Sequence, residues 1–341
     1  MNNNRYLLMS GSLPPDACGV GDYTQLLYDA SDKKRWRIFK ASDWSIIKFF
    51  STAKKILSKS PTHIIIQYPT MGYGWSLLPQ LLAIYFHCFT KIKVVTVLHE
   101  FSKRTAKAKI ATLLFNISDN LIFTSDFEKK EWTHFTKRRN KCHTIPIISN
   151  IPISSHCHRS IKNRKIDLVY FGLIMPNKGL EDFLSVAKKL KNKRKNINII
   201  GKIAEGHNSY GEYIIKETKK IGINLLNNLN SNEVADCLAE SKVCFLPFPD
   251  GVSERRGSFL AALQNGCLIT TYEGMYTTDA IKQVVFITDH QNSEKTILNL
   301  LSYDEASCLE KMEKAKKYLS QIPSNWNKII ELYETTLTEE Q

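Results

Sequence analysis

The sequence lacks the features that mark a metal-binding, secreted or membrane-spanning protein. Its eight cysteines are scattered, with no C-x-x-C pair and no zinc-like spacing of cysteine and histidine, so no metal site is expected. Residues 1–5 hold no apolar segment of the kind a signal peptide needs. The longest apolar run, residues 77–89, is too short to cross a bilayer. We therefore expect a cytoplasmic protein with reduced thiols.

Repeats, low-complexity segments and the G-x-G-x-x-G fingerprint of dinucleotide-binding proteins are also missing. The composition is otherwise ordinary, with 43% apolar and 23% charged residues in a chain of 341, which excludes a disordered chain. This length suits two domains, each large enough to bury its own core.

Positive charge is concentrated in the N-terminal half of the chain. The formal net charge is +14, and residues 1–160 carry 23 Lys and Arg against 10 Asp and Glu, whereas residues 161–341 are almost balanced. A basic surface favours an anionic partner, and at this level nucleic acid, acidic lipid and a phosphorylated substrate all remain open.

Short β-branched runs alternate with amphipathic helical patterns through most of the chain, which predicts parallel sheets covered by helices. The sequence predicts two doubly wound α/β domains, residues 1–160 and 161–320, and a C-terminal helix in 321–341 that packs back on the first domain. The predicted strands are 6–9, 36–39, 63–67, 93–99, 120–124, 143–147, 167–171, 196–201, 223–226, 243–247, 267–271 and 284–287.

Functional residues of such sheets lie beyond the carboxyl ends of the strands, and the first unusual turn there contains Gly19 and Gly21. Without side chains, these residues let backbone N–H groups at a helix start approach a diphosphate closely. The alternative is a glycine-tolerant turn in which Asp22 caps the helix.

The second turn places His99 and Glu100 after a buried strand. The imidazole can bind a substrate hydroxyl or phosphate, and the carboxylate can set its tautomer. The alternative is a loop histidine with a structural partner. The basic stretch 103–109 that follows suits a solvated helix face, from which Lys103 or Arg104 can also reach an anion.

The third turn follows a strand that ends near Gly172 and places Lys178 at the start of the next helix. A lysine there adds a point charge where the helix dipole already favours phosphate. A surface lysine is the alternative.

The fourth turn, residues 250–258, opens a helix with two arginines, a glycine and a serine. The N–H groups of Arg256, Gly257 and Ser258, with the guanidinium groups of Arg255 and Arg256, favour an anion-binding site. An exposed basic cap is the alternative.

Taken together, these turns resemble the retaining glycosyltransferases of family 4, and the resemblance covers nearly the whole chain. It rests on six motifs in the same order, of which the variant Asp-Gly-Val-Ser-Glu-Arg-Arg-Gly is similar to a branch associated with bacterial surface polysaccharides. The motifs lie at residues 14–24, 99–100, 149–152, 171–179, 230–238 and 250–258. The resemblance implies the GT-B fold, two Rossmann-like domains facing a central cleft, with C-terminal helices.

Two departures from the family pattern concern the donor. Leu173 stands where the family has a diphosphate-binding arginine, and Ser253 and Ala261 stand where it has two glutamates. Glu254 lies one residue out of register, and Arg255 or Arg256 can replace the lost positive charge.

The resemblance implies transfer of a sugar from a nucleotide-diphosphate sugar, with retention of configuration and without a metal or other cofactor. The donor is expected on the C-terminal domain, at the helix starts after Gly172 and Ser253, with Glu254 beside it. Lys178, Arg255 and Arg256, with the Gly257 and Ser258 amides, would take up the charge of the departing diphosphate. Gly19 and Gly21 would close over the phosphates, and His99, oriented by Glu100, would contact the sugar or acceptor.

The expected acceptor is a growing glycan, attached to a polyprenyl diphosphate, in capsule, O-antigen or exopolysaccharide synthesis. A basic acceptor domain fits an anionic membrane, with residues 77–89 and 103–109 as expected contacts and the inner face of the plasma membrane as the expected location.

Three alternatives remain. The missing arginine and glutamates suit a catalytically silent subunit that binds a partner transferase or glycan. A nucleotide-sugar 2-epimerase has the same fold but needs more carboxylates and histidines at the sugar. Nucleic-acid binding is suggested by charge and by the aromatic residues in the basic stretch 130–139, but no nucleic-acid motif appears, so no nucleic-acid partner is expected.

Overall fold

The computed structural model describes residues 4–16, 18–137, 141–204, 206–302 and 305–338, and the chain divides into two compact units. Unit 1 comprises residues 1–147 and 323–341, and unit 2 comprises residues 148–322. The sequence predicts the change of domain at residue 160, but residues 148–160 lie with unit 2. There the Ser154 amide donates to Asn265 Oδ1 over 2.8 Å and the Ser154 hydroxyl donates to Asp236.

Unit 1 contains a six-stranded parallel sheet in the order β2-β1-β3-β4-β5-β6. The strands are β1 (Tyr6–Met9), β2 (Trp36–Phe39), β3 (His63–Tyr68), β4 (Lys93–Leu98), β5 (Asn120–Phe123) and β6 (Cys142–Thr144). Most residues of the central strands are buried on both faces, as expected for a parallel sheet covered by helices.

Helices cover the sheet of unit 1. They are α1 (Gly19–Ala30), α2 (Phe49–Leu57), α3 (Leu78–Phe89), α4 (Ala106–Leu113) and α5 (Asp126–Thr136). The most apolar of them is α3, which buries Leu78, Leu82 and Phe86 in the core.

Unit 2 repeats this architecture with a parallel sheet in the order β12-β11-β10-β7-β8-β9. Its strands are β7 (Ile166–Phe171), β8 (Ile197–Ile200), β9 (Asn224–Leu226), β10 (Ser241–Leu246), β11 (Leu268–Tyr272) and β12 (Phe286–Thr288). Its helices are α6 (Leu180–Lys191), α7 (Asn208–Ile221), α8 (Ser231–Ala239), α9 (Gly257–Gln264), α10 (Asp279–Val284), α11 (Ser293–Ser302) and α12 (Glu305–Ser320).

The last described helix, α13 (Trp326–Thr338), belongs to unit 1 and packs against α1. The Tyr333 and Tyr23 hydroxyls lie 3.3 Å apart, and the Trp36 indole N–H donates to the Glu334 carboxylate over 2.9 Å. The C-terminal segment is thus part of the hydrophobic core of unit 1.

All twelve strands predicted from the sequence are present, with small shifts at their ends. The two predicted doubly wound sheets are confirmed, because every strand pair is parallel and helices separate consecutive strands through most of the chain.

Candidate functional site

Each sheet has a point at which the strand order reverses, and the predicted site residues lie in loops that begin there or at an adjacent strand. The reversal falls between β1 and β3 in unit 1 and between β7 and β10 in unit 2. In open α/β sheets, ligands bind beyond the carboxyl ends of the strands at such a point.

In unit 2, the loop after β7 carries Lys178. The Gly172 amide donates to the Ile200 carbonyl over 3.1 Å, and the buried Tyr170 hydroxyl donates to the Lys178 carbonyl over 3.2 Å. Burial raises the pKa of Tyr170 far above its ordinary value, so this phenol keeps its proton and remains a donor. Lys178 itself is half-buried. The backbone of the lysine is therefore held from inside the domain.

Gly179 brings the loops after β7 and β10 into contact. It precedes α6 with φ +78°, and a Cβ at this position would lie 1.9 Å from the Pro247 carbonyl oxygen. Both the positive φ and the close approach require glycine. Within the described part of unit 2, no side chain caps the start of α6.

The loop after β10 is fixed equally tightly against the loop after β11. Gly251 has φ +80°, and a Cβ there would lie 2.3 Å from the Gly274 amide nitrogen. A Cβ at Gly274 would lie 2.0 Å from the Asp250 carbonyl oxygen. These close backbone approaches fix the position from which residues 253–258 start.

The helix α9 begins at the predicted anion-binding turn. The Arg256 amide donates to the Ser253 carbonyl over 3.0 Å, so the prediction that this N–H group is available to an anion is wrong. Phe259 is fully buried on the core side of the helix. A Cβ at Gly257 would meet no atom within 4 Å. No side chain caps α9 among the described residues, so its first N–H groups, including that of Ser258, present a positive end.

The two arginines of this turn are positioned by aromatic rings. Arg256 pairs with Asp250, and its guanidinium lies 4.5 Å from the centroid of the Phe248 ring. Arg255 lies 5.7 Å from the centroid of the Tyr276 ring. Both guanidinium groups therefore have protein partners that favour these positions.

The positions of the missing family glutamates offer no carboxylate. Ser253 is 5% exposed and Ala261 is fully buried in the core side of α9. Glu254, the neighbouring acid, accepts a long hydrogen bond from the Thr278 hydroxyl at 3.4 Å. Leu173 is half-buried beside Gly172.

In unit 1, the loops after β1 and β3 interlock at the reversal point. The Gly11 amide donates to the Thr70 hydroxyl over 3.1 Å, and the Gly72 amide donates to the Ser12 hydroxyl over 2.7 Å. A Cβ at Gly72 would lie 1.9 Å from the Gly11 carbonyl oxygen. Backbone atoms of these two loops therefore occupy the reversal point of unit 1.

The glycines at the start of α1 differ from each other. A Cβ at Gly21 would lie 2.8 Å from the Ser12 carbonyl oxygen, whereas one at Gly19 would meet nothing within 4 Å. Gly21 is thus needed for packing, and Gly19 marks the open end of the helix. The alternative that Asp22 caps α1 is wrong, because the N-cap is Cys18 and Asp22 lies in the first turn.

His99 follows β4 and is held by Gln67, a residue that the sequence prediction missed. His99 Nε2 lies 2.7 Å from Gln67 Oε1, the geometry of a hydrogen bond in which the ring N–H donates. The centroids of the imidazole and the Tyr23 ring lie 5.1 Å apart, with the two rings nearly perpendicular. Gln67 lies near the end of β3, the strand next to β4, and adjacency of strand ends is the signal that would have found it.

The segment after Glu100 is anchored by a second residue that was missed, Glu128 of α5. Its fully buried carboxylate accepts the amides of Phe101 and Ser102 over 2.7 and 2.9 Å and the Ser102 hydroxyl over 2.5 Å. The basic stretch after β4 therefore starts from a fixed backbone. Nothing in the local sequence indicates this long-range contact.

The described residues contain no group of three His, Cys, Asp or Glu side chains arranged to hold a metal ion. Among the same residues, no helix is both long and apolar enough to cross a bilayer. In the basic stretch 130–139, Trp132 is buried, and residues 138 and 139 lie outside the described residues.

Comparison with known proteins shows the fold through solved structures. No protein-family model and no curated protein matches the sequence. The structure is similar to HepE of Anabaena in complex with UDP and glucose, with TM-score 0.73, 12% identity and coverage of 98% of this chain and 100% of that one. It is similar to sucrose-phosphate synthase of Thermosynechococcus elongatus, with TM-score 0.71, 12% identity and coverage of 99% and 100%. A glycosyltransferase of Rickettsia africae gives TM-score 0.67, 12% identity and coverage of 98% and 99%.

These neighbours and the two parallel sheets define the fold as that of the GT-B glycosyltransferases, two Rossmann-like units with flanking helices. The fold class predicted from the sequence is confirmed.

Proposed function

We propose that the protein is a glycosyltransferase that moves a sugar from a nucleotide-diphosphate sugar to a growing glycan, with retention of anomeric configuration. The observation that carries this proposal is the reversal point of unit 2. Lys178, Arg255 and Arg256 stand there beside the uncapped starts of α6 and α9, in two loops that touch through Gly179.

The chemistry of this place suits a diphosphate. Two helix starts supply N–H donors, the arginines supply planar forks and the lysine supplies a point charge, all at the edge where open α/β sheets bind ligands. Among the structural neighbours, HepE forms complexes with UDP and with UDP-glucose. We therefore propose a nucleoside diphosphate sugar as the donor of this chain.

The same groups account for catalysis. As the bond between sugar and diphosphate breaks, negative charge develops on the leaving oxygens, and donors fixed before the reaction stabilise that charge most effectively. The guanidinium of Arg256, held by Phe248 and Asp250, is such a donor. Because three cationic side chains and two helix dipoles serve this role, the proposed reaction needs neither a metal nor a cofactor.

The acceptor is proposed to bind unit 1. His99, held through Nε2 by Gln67, would direct the rest of its ring towards the transferred sugar or the acceptor hydroxyl. Glu100 would bind hydroxyl groups next to it, and Gly19 at the open start of α1 would approach the donor phosphates, with Gly21 shaping that turn.

We place the acceptor on a polyprenyl diphosphate at the inner face of the plasma membrane, in bacterial surface polysaccharide synthesis. The basic bias of residues 1–160 supports this. The proposed contact changes with the structure, however, because α3 buries much of the apolar stretch 77–89. Ile46, Ile47 and Phe50, which flank Lys48, are exposed instead, so we propose them as the membrane contact.

The test is a screen of the purified protein against a panel of nucleotide sugars, with release of the nucleoside diphosphate as the readout. We expect one donor to give release that increases when a glycan acceptor is added. Absence of release with every donor, together with absence of thermal stabilisation by any nucleotide, would contradict the proposal.

A second candidate is a catalytically silent subunit that binds a nucleotide or glycan and assists a partner transferase. The observation that favours it is the lack of a carboxylate at Ser253 and Ala261. This candidate predicts thermal stabilisation by a nucleotide sugar without release of nucleoside diphosphate, so the same screen separates it from the first.

A further inference from the structure

Unit 1 contains a shallow surface cavity of about 290 Å³, wide open to solvent, that no role in the donor site explains. It lies beyond the carboxyl ends of the neighbouring strands β3 and β4, so it occupies the ligand-binding edge of this sheet. The lining residues are Gly74, Trp75, Glu100, Lys103, Arg104, Thr105 and Ala108.

One side of this cavity is cationic. Lys103 and Arg104 line it, and α4 starts there with Thr105 as its N-cap, whose hydroxyl accepts from the Ala108 amide over 3.4 Å. The positive end of α4 and the two side chains favour an anion at the same place. A phosphate group fits this combination better than a carboxylate, because it offers more oxygens to the donors.

The guanidinium of Arg104 is held in place by Tyr68 of β3. Its Nη2 donates to the Tyr68 hydroxyl over 3.1 Å, and the group lies 4.9 Å from the centroid of the Tyr68 ring. Among the described residues, no acceptor lies within hydrogen-bond distance of the buried Arg104 Nε. A buried donor without a partner is costly, so the Arg104 guanidinium keeps unused hydrogen-bonding capacity next to the cavity.

The rest of the lining suits a sugar. The indole of Trp75 is 86% exposed at the cavity and offers an aromatic face to the apolar side of a pyranose ring. The Glu100 carboxylate can accept hydrogen bonds from hydroxyl groups and disfavours a ligand that is anionic throughout.

We propose that this cavity binds a phosphorylated sugar, with its phosphate at Lys103, Arg104 and the start of α4 and its ring on Trp75. This inference rests on the proposed function and deepens it, since the ligand would be the sugar phosphate portion of the acceptor. The phosphate of a lipid headgroup has the same anionic chemistry, so the test includes both sources.

The test uses the full chain labelled with fluorotryptophan and saturated with UDP, so that the diphosphate site of unit 2 is occupied. The fluorine resonance of Trp75 is assigned with Trp75→Phe. We expect glucose 1-phosphate to shift this resonance saturably and glucose or inorganic phosphate to do so only at much higher concentration.

Two lysine variants locate the phosphate. Lys103→Ala is expected to weaken glucose 1-phosphate binding about 10-fold, which corresponds to ~1.4 kcal/mol. Lys107→Ala removes the same charge from an exposed position of α4 outside the cavity lining and is expected to leave binding unchanged. Equal weakening in both variants, or no saturable shift of Trp75, overturns the proposal.

Vesicles separate the two sources of phosphate. If phosphatidylcholine vesicles that contain phosphatidylglycerol displace glucose 1-phosphate from Trp75, the cavity also accepts a lipid phosphate. If they do not displace it, the ligand is the sugar phosphate alone. Nucleoside diphosphate release reports independently on the proposed function. Lys178→Ala should lower this release at least ~100-fold while leaving the Trp75 shift intact.

Discussion

Both sheets of this protein are parallel and doubly wound, but their strand orders differ and their reversal points are occupied differently. In unit 1 the loops after β1 and β3 close on each other, so that Gly72 touches the Gly11 carbonyl and Ser12 bonds the Gly72 amide. In unit 2 the loops after β7 and β10 approach equally closely, since a Cβ at Gly179 would lie 1.9 Å from the Pro247 carbonyl oxygen, but they also carry Lys178, Arg255 and Arg256 beside the uncapped starts of α6 and α9.

We propose that this difference lets one architecture support two tasks. In unit 1 we propose that binding chemistry lies beyond the neighbouring strand β4, where His99 and the Trp75 cavity are found. In unit 2 the proposed binding groups, Lys178 and the two arginines, belong to the loops that start at the reversal point itself. We therefore assign the donor to unit 2 and the acceptor to unit 1.

The largest expected effect comes from the lysine at the reversal point of unit 2. Lys178→Ala should lower turnover at least ~100-fold, comparable to the loss of one oxyanion donor, because Lys178 would stabilise the departing diphosphate. Lys188→Ala, an exposed position later in α6, is the matched control and should keep normal turnover. Near-normal turnover of Lys178→Ala would remove the basis of the donor assignment.

The filled reversal point of unit 1 predicts a stability effect. Gly72→Ala should lower the free energy of unfolding by about 2 kcal/mol, because its methyl group would overlap the Gly11 carbonyl. Gly19→Ala, at an open helical position, should change it by roughly +0.5 kcal/mol. Urea unfolding curves of the two variants compare these values, and equal stability would show that the loops are not interlocked.

Substitution of His99, which follows β4, is expected to affect sugar transfer without affecting donor binding. His99→Ala should lower the rate of sugar transfer about 10-fold or more, because a hydrogen bond in the reacting complex is worth ~1.5 kcal/mol or more. Binding of the nucleotide sugar, followed by calorimetry, should be retained. Gln67→Met should give a smaller loss of the same kind, because it frees the ring that Gln67 holds. Unchanged kinetics of His99→Ala would show that His99 is a structural loop residue and does not contact the sugar or the acceptor.

The smallest expected effect concerns the exposed apolar residues of the two units. Ile47→Asp should weaken binding to phosphatidylglycerol vesicles several-fold, in line with the loss of about 1 kcal/mol of apolar burial. Met275→Asp makes the same kind of change at an 81% exposed position of unit 2 and should have no effect. Equal effects of both variants, or equal binding of the wild-type protein to neutral vesicles at low salt, would contradict the membrane contact.

Strand periodicity made the fold predictable from the sequence. Short apolar runs such as 63–67 and 243–247 alternate with helical patterns, and this alternation alone requires two parallel sheets. The cationic turn at 250–258 was also predictable, because strand ends and helix starts can be located and unusual residues stand out there.

Features that depend on distant contacts were not predictable. Gln67 and Glu128 hold His99 and the segment after Glu100 from other elements, and neither has a local motif. The stretch 77–89 was predicted as a membrane contact, and α3 buries Leu78, Leu82 and Phe86 while Phe89 stays exposed, because hydrophobicity alone does not reveal which face a helix buries. The motif at 230–238 has a structural basis, because Asn230 and Glu233 form a capping box at the start of α8.

The central claim, that the reversal point of unit 2 holds the donor diphosphate, is tested most directly by hydrogen exchange with each nucleoside diphosphate at saturation. The account predicts that the nucleotide that binds slows exchange most at the amides of residues 178–180 and 257–259. Protection confined to unit 1, or binding that leaves both segments of unit 2 unprotected, would contradict it.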